Sequence, residues 1–190
     1  LQKIALKKGF KILPFKGDTK IAQTTELCFL VGRQFGMTDS EIQKGIDHFQ
    51  PSDHRMRLIK KGEITLLDDS YNANPDGVQY ALEALRTHKG RKILVMGDML
   101  ELGDWSTKEH QKVAELALDA DVSMIFAFGP LSAYIQSDVI PVFHFLDKKS
   151  MHRQLGMEIK KGDVILIKGS RGMKMEETVS FLEEEGNIHA

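Results

Sequence analysis

From residue 64 onward, the chain alternates between short aliphatic runs and longer stretches in which apolar residues recur at helical spacing. The aliphatic runs have the length of strands and are nearly continuous, as in strands that are buried on both faces of a sheet. Strands are predicted at residues 64–68, 92–96, 124–128, 142–145 and 164–168. Helices are predicted at residues 75–88, 106–119, 131–137, 148–159 and 173–185.

This alternation predicts an α/β fold, a Rossmann-like, mostly parallel sheet with helices on both faces. Just before it, the segment RMRLIKKGEITLLDD alternates around KKGE and predicts a β-hairpin. Residues 52–190 are therefore predicted to form one α/β domain.

The opening part of the chain has a different pattern. It offers a short strand candidate at residues 10–15, a helix from about residue 19 to residue 35, and a second helix that ends before Pro51. Thr38 and Glu41 form the T-x-x-E pattern of a capping box at the start of that second helix. One strand and two helices make a poor independent domain, so residues 1–51 are predicted to be the end of a neighbouring domain.

Charge and hydropathy narrow the classes of function. The chain has 26 basic and 27 acidic residues, so it has no broad field that would attract nucleic acid or an anionic membrane. It has no apolar run of the roughly 18 residues that a membrane-spanning helix requires. The single cysteine, Cys28, lies in the apolar run LCFLV and is predicted to be a core residue. We expect a cytoplasmic protein that binds no nucleic acid and inserts into no membrane.

Three loops that follow predicted strands are unusually polar. They read DDSYNANP at residues 68–75, GDMLELGDWS at 97–106 and KGSRGMKME at 168–176. Ligands of open parallel sheets bind beyond the carboxyl ends of the strands. We therefore expect the three loops to lie at one edge of the sheet and to form one wall of a cleft.

The first loop ends at a helix start. Asn74 before Pro75 is typical of an N-cap followed by proline at the first helical position. Simple capping is thus one interpretation of Asn74. A cap needs one side chain, however, so Asp69, Tyr71 and Asn72 are predicted to have a further use.

The second loop places Asp98 and Glu101 between two glycines. Paired acids beyond a strand can orient an ammonium group or act as a base. The alternative is a solvated turn. Ser106 and Glu109 are predicted to form a second capping box where the following helix begins.

The third loop resembles an anion-binding loop, because its glycines allow close approach of the backbone and Lys168 and Arg171 add positive charge. The alternative is an ordinary turn with two exposed cations. No Gly-Lys-Ser or Gly-Lys-Thr occurs, so the loop is not a P-loop. The seven histidines show no zinc-binding spacing, and no metal ligands are predicted.

Together, DDSYNANPDG, GDMLELG and IKGSRGMKME resemble the C-terminal domain of the MurF branch of the Mur ligase family, which serves bacterial peptidoglycan synthesis. The resemblance covers about residues 10–185. It implies a peptide ligase in which ATP phosphorylates the carboxylate of a UDP-N-acetylmuramoyl-tripeptide. The amine of D-alanyl-D-alanine then attacks the acyl phosphate.

The resemblance also implies roles for residues. Arg55 matches an arginine that reaches the ATP phosphates, and Asp69, with some ambiguity against Asp68, matches an acid that contacts the ribose. Tyr71, Asn72 and Asn74 are expected to line the nucleotide and acyl-phosphate side of the cleft. The positions where related ligases bind the incoming amino acid or peptide are Asp98, Glu101, Lys168, Ser170 and Arg171.

By the same resemblance, residues 1–51 match the end of the central ATP-binding domain. ATP and Mg²⁺ are expected to be bound mainly by the missing central domain, an N-terminal domain is also expected, and the chain alone is predicted to be inactive. The family begins a helix with H-N-x-x-N, which contacts adenine, whereas this sequence reads TKIAQ at residues 19–23, so altered adenine contacts are expected.

Two alternatives stay open. One is a related Mur-type or folylpolyglutamate-type ligase with a different acceptor, because the sheet would be shared while the acceptor loops would differ. The other is a non-catalytic module that binds a nucleotide or a peptide.

Overall fold

The computed structural model describes residues 20–49 and 52–184, and the strand predicted at residues 10–15 lies outside them. The chain divides into two compact units, Leu1–Gln50 and Pro51–Ala190. Within the described part of the chain, no helix is both long enough and apolar enough to cross a membrane. The assignment of the first unit to the end of an ATP-binding domain stays a prediction.

Two helices, α1 (Lys20–Gln34) and α2 (Asp39–Asp47), make up the described part of the first unit. The hydroxyl of Thr38 accepts a hydrogen bond from the Glu41 N–H at 3.3 Å, and the Glu41 carboxylate accepts one from the Thr38 N–H at 2.8 Å. This reciprocal pair satisfies two N–H groups that a helix start leaves free. The predicted capping box is confirmed.

The prediction that Cys28 is a core residue is wrong, because its side chain is exposed. Helix α1 meets α2 one turn further along, where Gly32 faces the buried side chain of Ile42. A Cβ atom on Gly32 would lie 2.6 Å from Cγ1 of Ile42, so the absence of a side chain allows this close approach. The contact between the two helices leaves Cys28 uncovered.

A six-stranded sheet organises the second unit. Its strands are β1 (Arg57–Lys61), β2 (Ile64–Asp69), β3 (Lys92–Gly97), β4 (Val122–Phe128), β5 (Val142–Phe145) and β6 (Val164–Lys168). They lie in the order β1-β2-β6-β3-β4-β5, with β1 antiparallel to β2 and all other neighbours parallel. The predicted hairpin and the mostly parallel sheet are both confirmed.

Helices cover both faces of this sheet, because its central strands are apolar on both sides. The helices are α3 (Pro75–Arg86), α4 (Ser106–Asp119), α5 (Lys148–Glu158) and α6 (Glu176–Glu183). In β6, Val164 and Leu166 join the core under α3 and α4, whereas Ile165 and Ile167 join the core under α5 and α6. The two cores therefore follow the alternation of side chains along each strand.

The helix predicted at residues 131–137 is absent. A single 3₁₀ turn, Ser132–Tyr134, takes its place. The N–H of Ser132 donates to the buried carboxylate of Asp98 at 2.6 Å, and its hydroxyl donates to the carbonyl of Gly129 at 2.9 Å. The tertiary bond to Asp98 and the local bond to Gly129 together hold the segment in a turn and override its weak helical pattern.

The second predicted capping box is also wrong. Ser106 has helical angles itself (φ −54°, ψ −54°) and is the first residue of α4, so its hydroxyl is not in the N-cap position. Its buried Oγ has no hydrogen-bond partner among the described residues. Helix α6 begins three residues later than predicted, after Lys174, which has a left-handed φ of +49°.

The packing of α5 against α6 generates a pH-dependent prediction. The ring centre of His152 lies 4.5 Å from that of Phe181, and Nε2 lies 3.0 Å from Oγ1 of Thr178. Burial, followed by the nearby charge of Lys148, lowers the pKa of His152. Because the folded pKa lies below the unfolded one, the unfolded state binds more protons in this range, and stability falls as the pH drops below about 6.5.

We expect His152→Phe to reduce this loss, because phenylalanine fills the site without titrating. The measurement is the free energy of unfolding in urea at pH 7.5 and pH 5.5. An equal loss in wild type and His152→Phe would contradict the assignment to His152.

Candidate functional site

The three polar loops meet at one edge of the sheet, as the sequence predicts. Strand β6 lies between β2 and β3 and is parallel to both, so the carboxyl ends of the three strands are adjacent. At this edge Lys168 pairs in register with Asp69 on one side and with Met96 on the other. The loops that follow these strands therefore begin side by side.

Ser170 joins all three loops through hydrogen bonds. Its hydroxyl accepts the N–H of Leu100 at 2.8 Å and donates to the carbonyl of Ala73 at 3.2 Å. Its own N–H donates to the carbonyl of Asp98 at 3.0 Å. The residue is buried. One small hydroxyl thus connects the segments that follow β2, β3 and β6.

Lys168 is buried. The interpretation of the third loop as a turn with two exposed cations is therefore wrong for this residue. Its ammonium group donates to Oδ2 of Asp69 at 2.5 Å and to the carbonyl of Asn72 at 2.9 Å. Burial raises the pKa of the Asp69 carboxyl, and the adjacent ammonium of Lys168 opposes that rise. The pair ties the first loop to the end of β6.

Adjacent acids Asp68 and Asp69 have different environments, because successive side chains of a strand point to opposite faces. Asp68 is fully buried. Its Oδ1 accepts bonds from the N–H and the hydroxyl of Ser70, at 3.2 Å and 2.6 Å, and its Oδ2 lies 2.8 Å from Nδ1 of His54. Asp69 is the acid at the rim, with a side chain that is 13% exposed.

Two arginines contact the ring of Tyr71. The guanidinium carbon of Arg55 lies 4.1 Å from the ring centre, and that of Arg171 lies 5.5 Å from it. Both arginines and the tyrosine are exposed, so the contacts lie at the surface of the rim. Residues from the start of the domain and from the loop after β6 therefore meet on one aromatic ring.

The asparagines of the first loop are exposed and serve local structure. Oδ1 of Asn74 accepts the N–H of Gly77 at 2.7 Å, which confirms the predicted N-cap of α3. Oδ1 of Asn72 accepts the N–H of Ala73 at 2.9 Å. Both residues are exposed at the rim.

Asp98 and Glu101 are not a pair. Asp98 is 1% exposed, and its carboxylate accepts N–H groups of Ser132 at 2.6 Å and Leu131 at 3.2 Å. Gly129 makes room for it, since a Cβ atom there would lie 2.6 Å from the carboxylate. Glu101 is exposed and has a left-handed φ of +64°. The alternative interpretation, a solvated turn, is therefore correct for Glu101 and wrong for Asp98.

Sequence reasoning missed His110, which holds the second loop. Its Nε2 accepts the N–H of Met99 at 2.9 Å, and its Nδ1 lies 2.7 Å from the carbonyl of Ser106. A backbone N–H can only donate, so these contacts require the neutral tautomer with the proton on Nδ1. The available signal was spacing: residue 110 precedes Val113, Ala114 and Ala117 on the inward face of α4.

Comparisons with known proteins find similar sequences and similar structures. Residues 54–171 match the family model described as Mur ligase, glutamate ligase domain. The chain is 35% identical over 178 residues to the UDP-N-acetylmuramoyl-tripeptide--D-alanyl-D-alanine ligase of Escherichia coli, covering 92% of this chain and 39% of that protein. For the enzyme of the same name from Bacillus subtilis, the identity is 33% over 162 residues, covering 80% of this chain and 35% of that protein.

Solved structures include a similar fold. The crystal structure of a MurF ligase from Thermotoga maritima in complex with ADP matches with a TM-score of 0.72 and 29% identity. The match covers 87% of this chain and 37% of that one. The chain thus spans less than two fifths of the length of each of these relatives.

Ser170→Ala should loosen the meeting point of the loops. We expect the free energy of unfolding to fall by about 1–3 kcal/mol, because the Leu100 N–H and the Ala73 carbonyl lose their shared partner. Urea unfolding measures the change. Ser180→Ala removes a hydroxyl that donates to Glu176 on an exposed helix face and should change stability by less than about 0.5 kcal/mol. Equal effects of the two substitutions would contradict the role of Ser170.

Proposed function

The chain belongs to the Mur ligase family, and from this membership we propose that it forms the C-terminal part of an ATP-dependent peptide ligase. The ligase joins D-alanyl-D-alanine to a UDP-N-acetylmuramoyl-tripeptide, as the names of the Escherichia coli and Bacillus subtilis relatives support. The resemblance of the three loops implies that the reaction passes through an acyl phosphate. The remaining domains of the protein supply the opposite wall of the cleft.

One observation carries the proposal. The family match begins at His54, beside Arg55, and ends at Arg171, and these two arginines contact the same ring of Tyr71. The match therefore encloses a rim on which cationic groups converge. Such a rim suits a reaction in which negative charge develops on phosphoryl and carbonyl oxygens.

On the nucleotide side, Arg55 contacts the phosphates with its exposed guanidinium group. Asp69 contacts the ribose. Each of its oxygens already accepts one bond, from Lys168 or from the Met56 N–H, but a carboxylate oxygen can accept two. Tyr71, Asn72 and Asn74 line this side with a ring and two amide groups.

On the acceptor side, the exposed and the buried residues do different work. Arg171 has a side chain that is 60% exposed, and it binds the terminal carboxylate of the dipeptide. Glu101, which is exposed in the second loop, attracts the ammonium end. The residues that hold these loops in place are Asp98, Lys168 and Ser170.

ATP and Mg²⁺ have different relations to these residues. The Thermotoga maritima structure is a complex with ADP, which supports a nucleotide as a ligand of the full-length protein, and the exposed guanidinium of Arg55 fits a phosphate group. The bound nucleotide supplies the phosphoryl group that activates the carboxylate. The described residues contain no cluster of three or more His, Cys, Asp or Glu side chains, so they do not fit a Mg²⁺ site by themselves.

In the full-length protein, Arg55→Ala and Asp69→Ala should each lower turnover by on the order of a hundredfold. Arg55 acts on the phosphoryl group, whereas Asp69 holds the ribose and, through the Met56 N–H, the segment that carries Arg55. The rate of phosphate release in the presence of ATP, the UDP-linked tripeptide and D-alanyl-D-alanine measures this turnover. Arg57→Ala, at an exposed arginine of the outermost strand β1, is the matched control and should leave turnover unchanged. Normal turnover in Arg55→Ala or Asp69→Ala would remove that residue from the mechanism.

Arg171→Ala should raise the KM for D-alanyl-D-alanine by about tenfold to a hundredfold with little change in kcat, because it removes a charged hydrogen bond to the bound dipeptide. Arg153→Ala, at an exposed arginine of α5, is the control. The same assay with single amino acids and with a glutamate-tailed acceptor tests the alternative ligases. Faster turnover of either acceptor than of D-alanyl-D-alanine would overturn the proposed substrate.

A further inference from the structure

Arg55 lies in a strained segment of the backbone. The residue before it, His54, has a φ of +61°, and the residue after it, Met56, has a φ of +50°. Both angles are in the left-handed region, which residues other than glycine adopt only rarely. Strain of this kind persists only where surrounding contacts over-determine it, and it concentrates at functional sites. Contacts on either side of Arg55 must therefore hold the two strained residues in place.

The residue before Arg55 is held by a buried acid. Nδ1 of His54 lies 2.8 Å from Oδ2 of Asp68, and the His54 carbonyl accepts the N–H of Tyr71 at 3.0 Å. Asp68 is fully buried, and Ser70 bonds its other oxygen. The imidazole is therefore fixed to a carboxylate that has itself no freedom to turn.

The residue after Arg55 is held by the neighbouring acid. The N–H of Met56 donates to Oδ1 of Asp69 at 3.2 Å, and Lys168 fixes the other oxygen of that carboxylate. The guanidinium of Arg55 then rests 4.1 Å from the centre of the Tyr71 ring. Backbone and side chain of the arginine are thus both determined by the end of β2 and the loop that follows it.

We propose that His54 and Asp68 are positioning residues that preset Arg55 for phosphoryl transfer. This inference rests on the proposed function and deepens it. Asp68 is fully buried, whereas the side chain of Asp69 is 13% exposed at the rim, so Asp68 acts on a ligand only through His54 and Arg55. A preset cation stabilises developing charge without reorganising during the reaction, which is where such groups contribute most. Asp68 fixes the residue before Arg55, and Asp69 fixes the residue after it.

Substitutions of His54 in the full-length protein test the proposal. His54→Gly accepts the left-handed backbone but removes the bond to Asp68. His54→Asn tolerates the same backbone and keeps a donor on the side chain. We expect His54→Gly to lower kcat by about tenfold to a hundredfold, as a small misplacement of a reacting group does, with the KM for D-alanyl-D-alanine unchanged. His54→Asn should recover most of that loss.

The matched control is Asp121→Gly. Asp121 also has a left-handed φ, +56°, but it precedes β4 and so lies at the opposite edge of the sheet. This substitution should leave turnover unchanged. Equal thermal unfolding temperatures for wild type and His54→Gly show that a loss of turnover is not a loss of fold.

An NMR measurement on the same proteins does not depend on activity. Stacking on Tyr71 should shift the side-chain Hε signal of Arg55, which is identified by its absence in Arg55→Ala. We expect the shifted signal in wild type and His54→Asn, and movement toward the value of free arginine in His54→Gly. An unchanged signal in His54→Gly overturns the positioning role.

The kinetic outcomes separate the two proposals. Wild-type turnover in His54→Gly, together with impaired turnover in Arg55→Ala, overturns the positioning role and leaves the proposed function intact. A loss that His54→Asn does not recover also overturns it. Wild-type turnover in Arg55→Ala instead removes Arg55 from the proposed mechanism, and the NMR signal then decides alone whether His54 positions it.

Discussion

The position of β6 between β2 and β3 is the constraint on which the rest of the site depends. Because the three strands run in the same direction, their carboxyl ends are adjacent, and segments far apart in sequence become neighbours. Ser170 and Ala73 are separated by 97 positions and are joined by one hydrogen bond. Lys168 and Asp69 are separated by 99 positions and form an ion pair. Sheet order, and not the loops themselves, brings these groups together.

The polar residues of this edge fall into a buried set and an exposed set. The buried set includes Asp68, Ser70, Asp98, Lys168 and Ser170. Each is bonded within the protein, as a polar group removed from water must be if its burial is not to destabilise the fold. Arg55, Glu101 and Arg171 stay exposed. The buried groups give the loops a fixed shape, and the exposed groups project from that shape toward the solvent.

Much of the fold follows from the sequence because its signals are local. Continuous aliphatic runs of about five residues identify the parallel strands, and Asn74 with Pro75 marks a helix start. The segment around Ser132 was mispredicted as a helix, because its conformation depends on Asp98, 34 positions away. Sequence pattern contains no information on such a partner.

The site shows the same limit more sharply. The three loops were identified by their polarity and by the rule that binding loops follow parallel strands. Polarity alone does not distinguish Asp68 from Asp69, although they face opposite sides of the sheet. Polarity also suggests that Lys168 is exposed. The residue is only 3% exposed, and Asp69 and the Asn72 carbonyl accept its hydrogen bonds. His54 gave no signal, since its partner and its backbone angle appear only in the folded chain.

The two outer strands have a consequence for how the protein behaves at high concentration. An open sheet ends in rows of unpaired N–H and C=O groups, onto which a strand of another molecule can add. Here β1 has the sequence RLIKK, so cations crowd one border, and β5 has only four residues, so the other border is short. Like charges and shortness both discourage such addition. Among the residues that the structure describes, the sheet has six strands, and both of its borders disfavour the addition of a strand from another molecule.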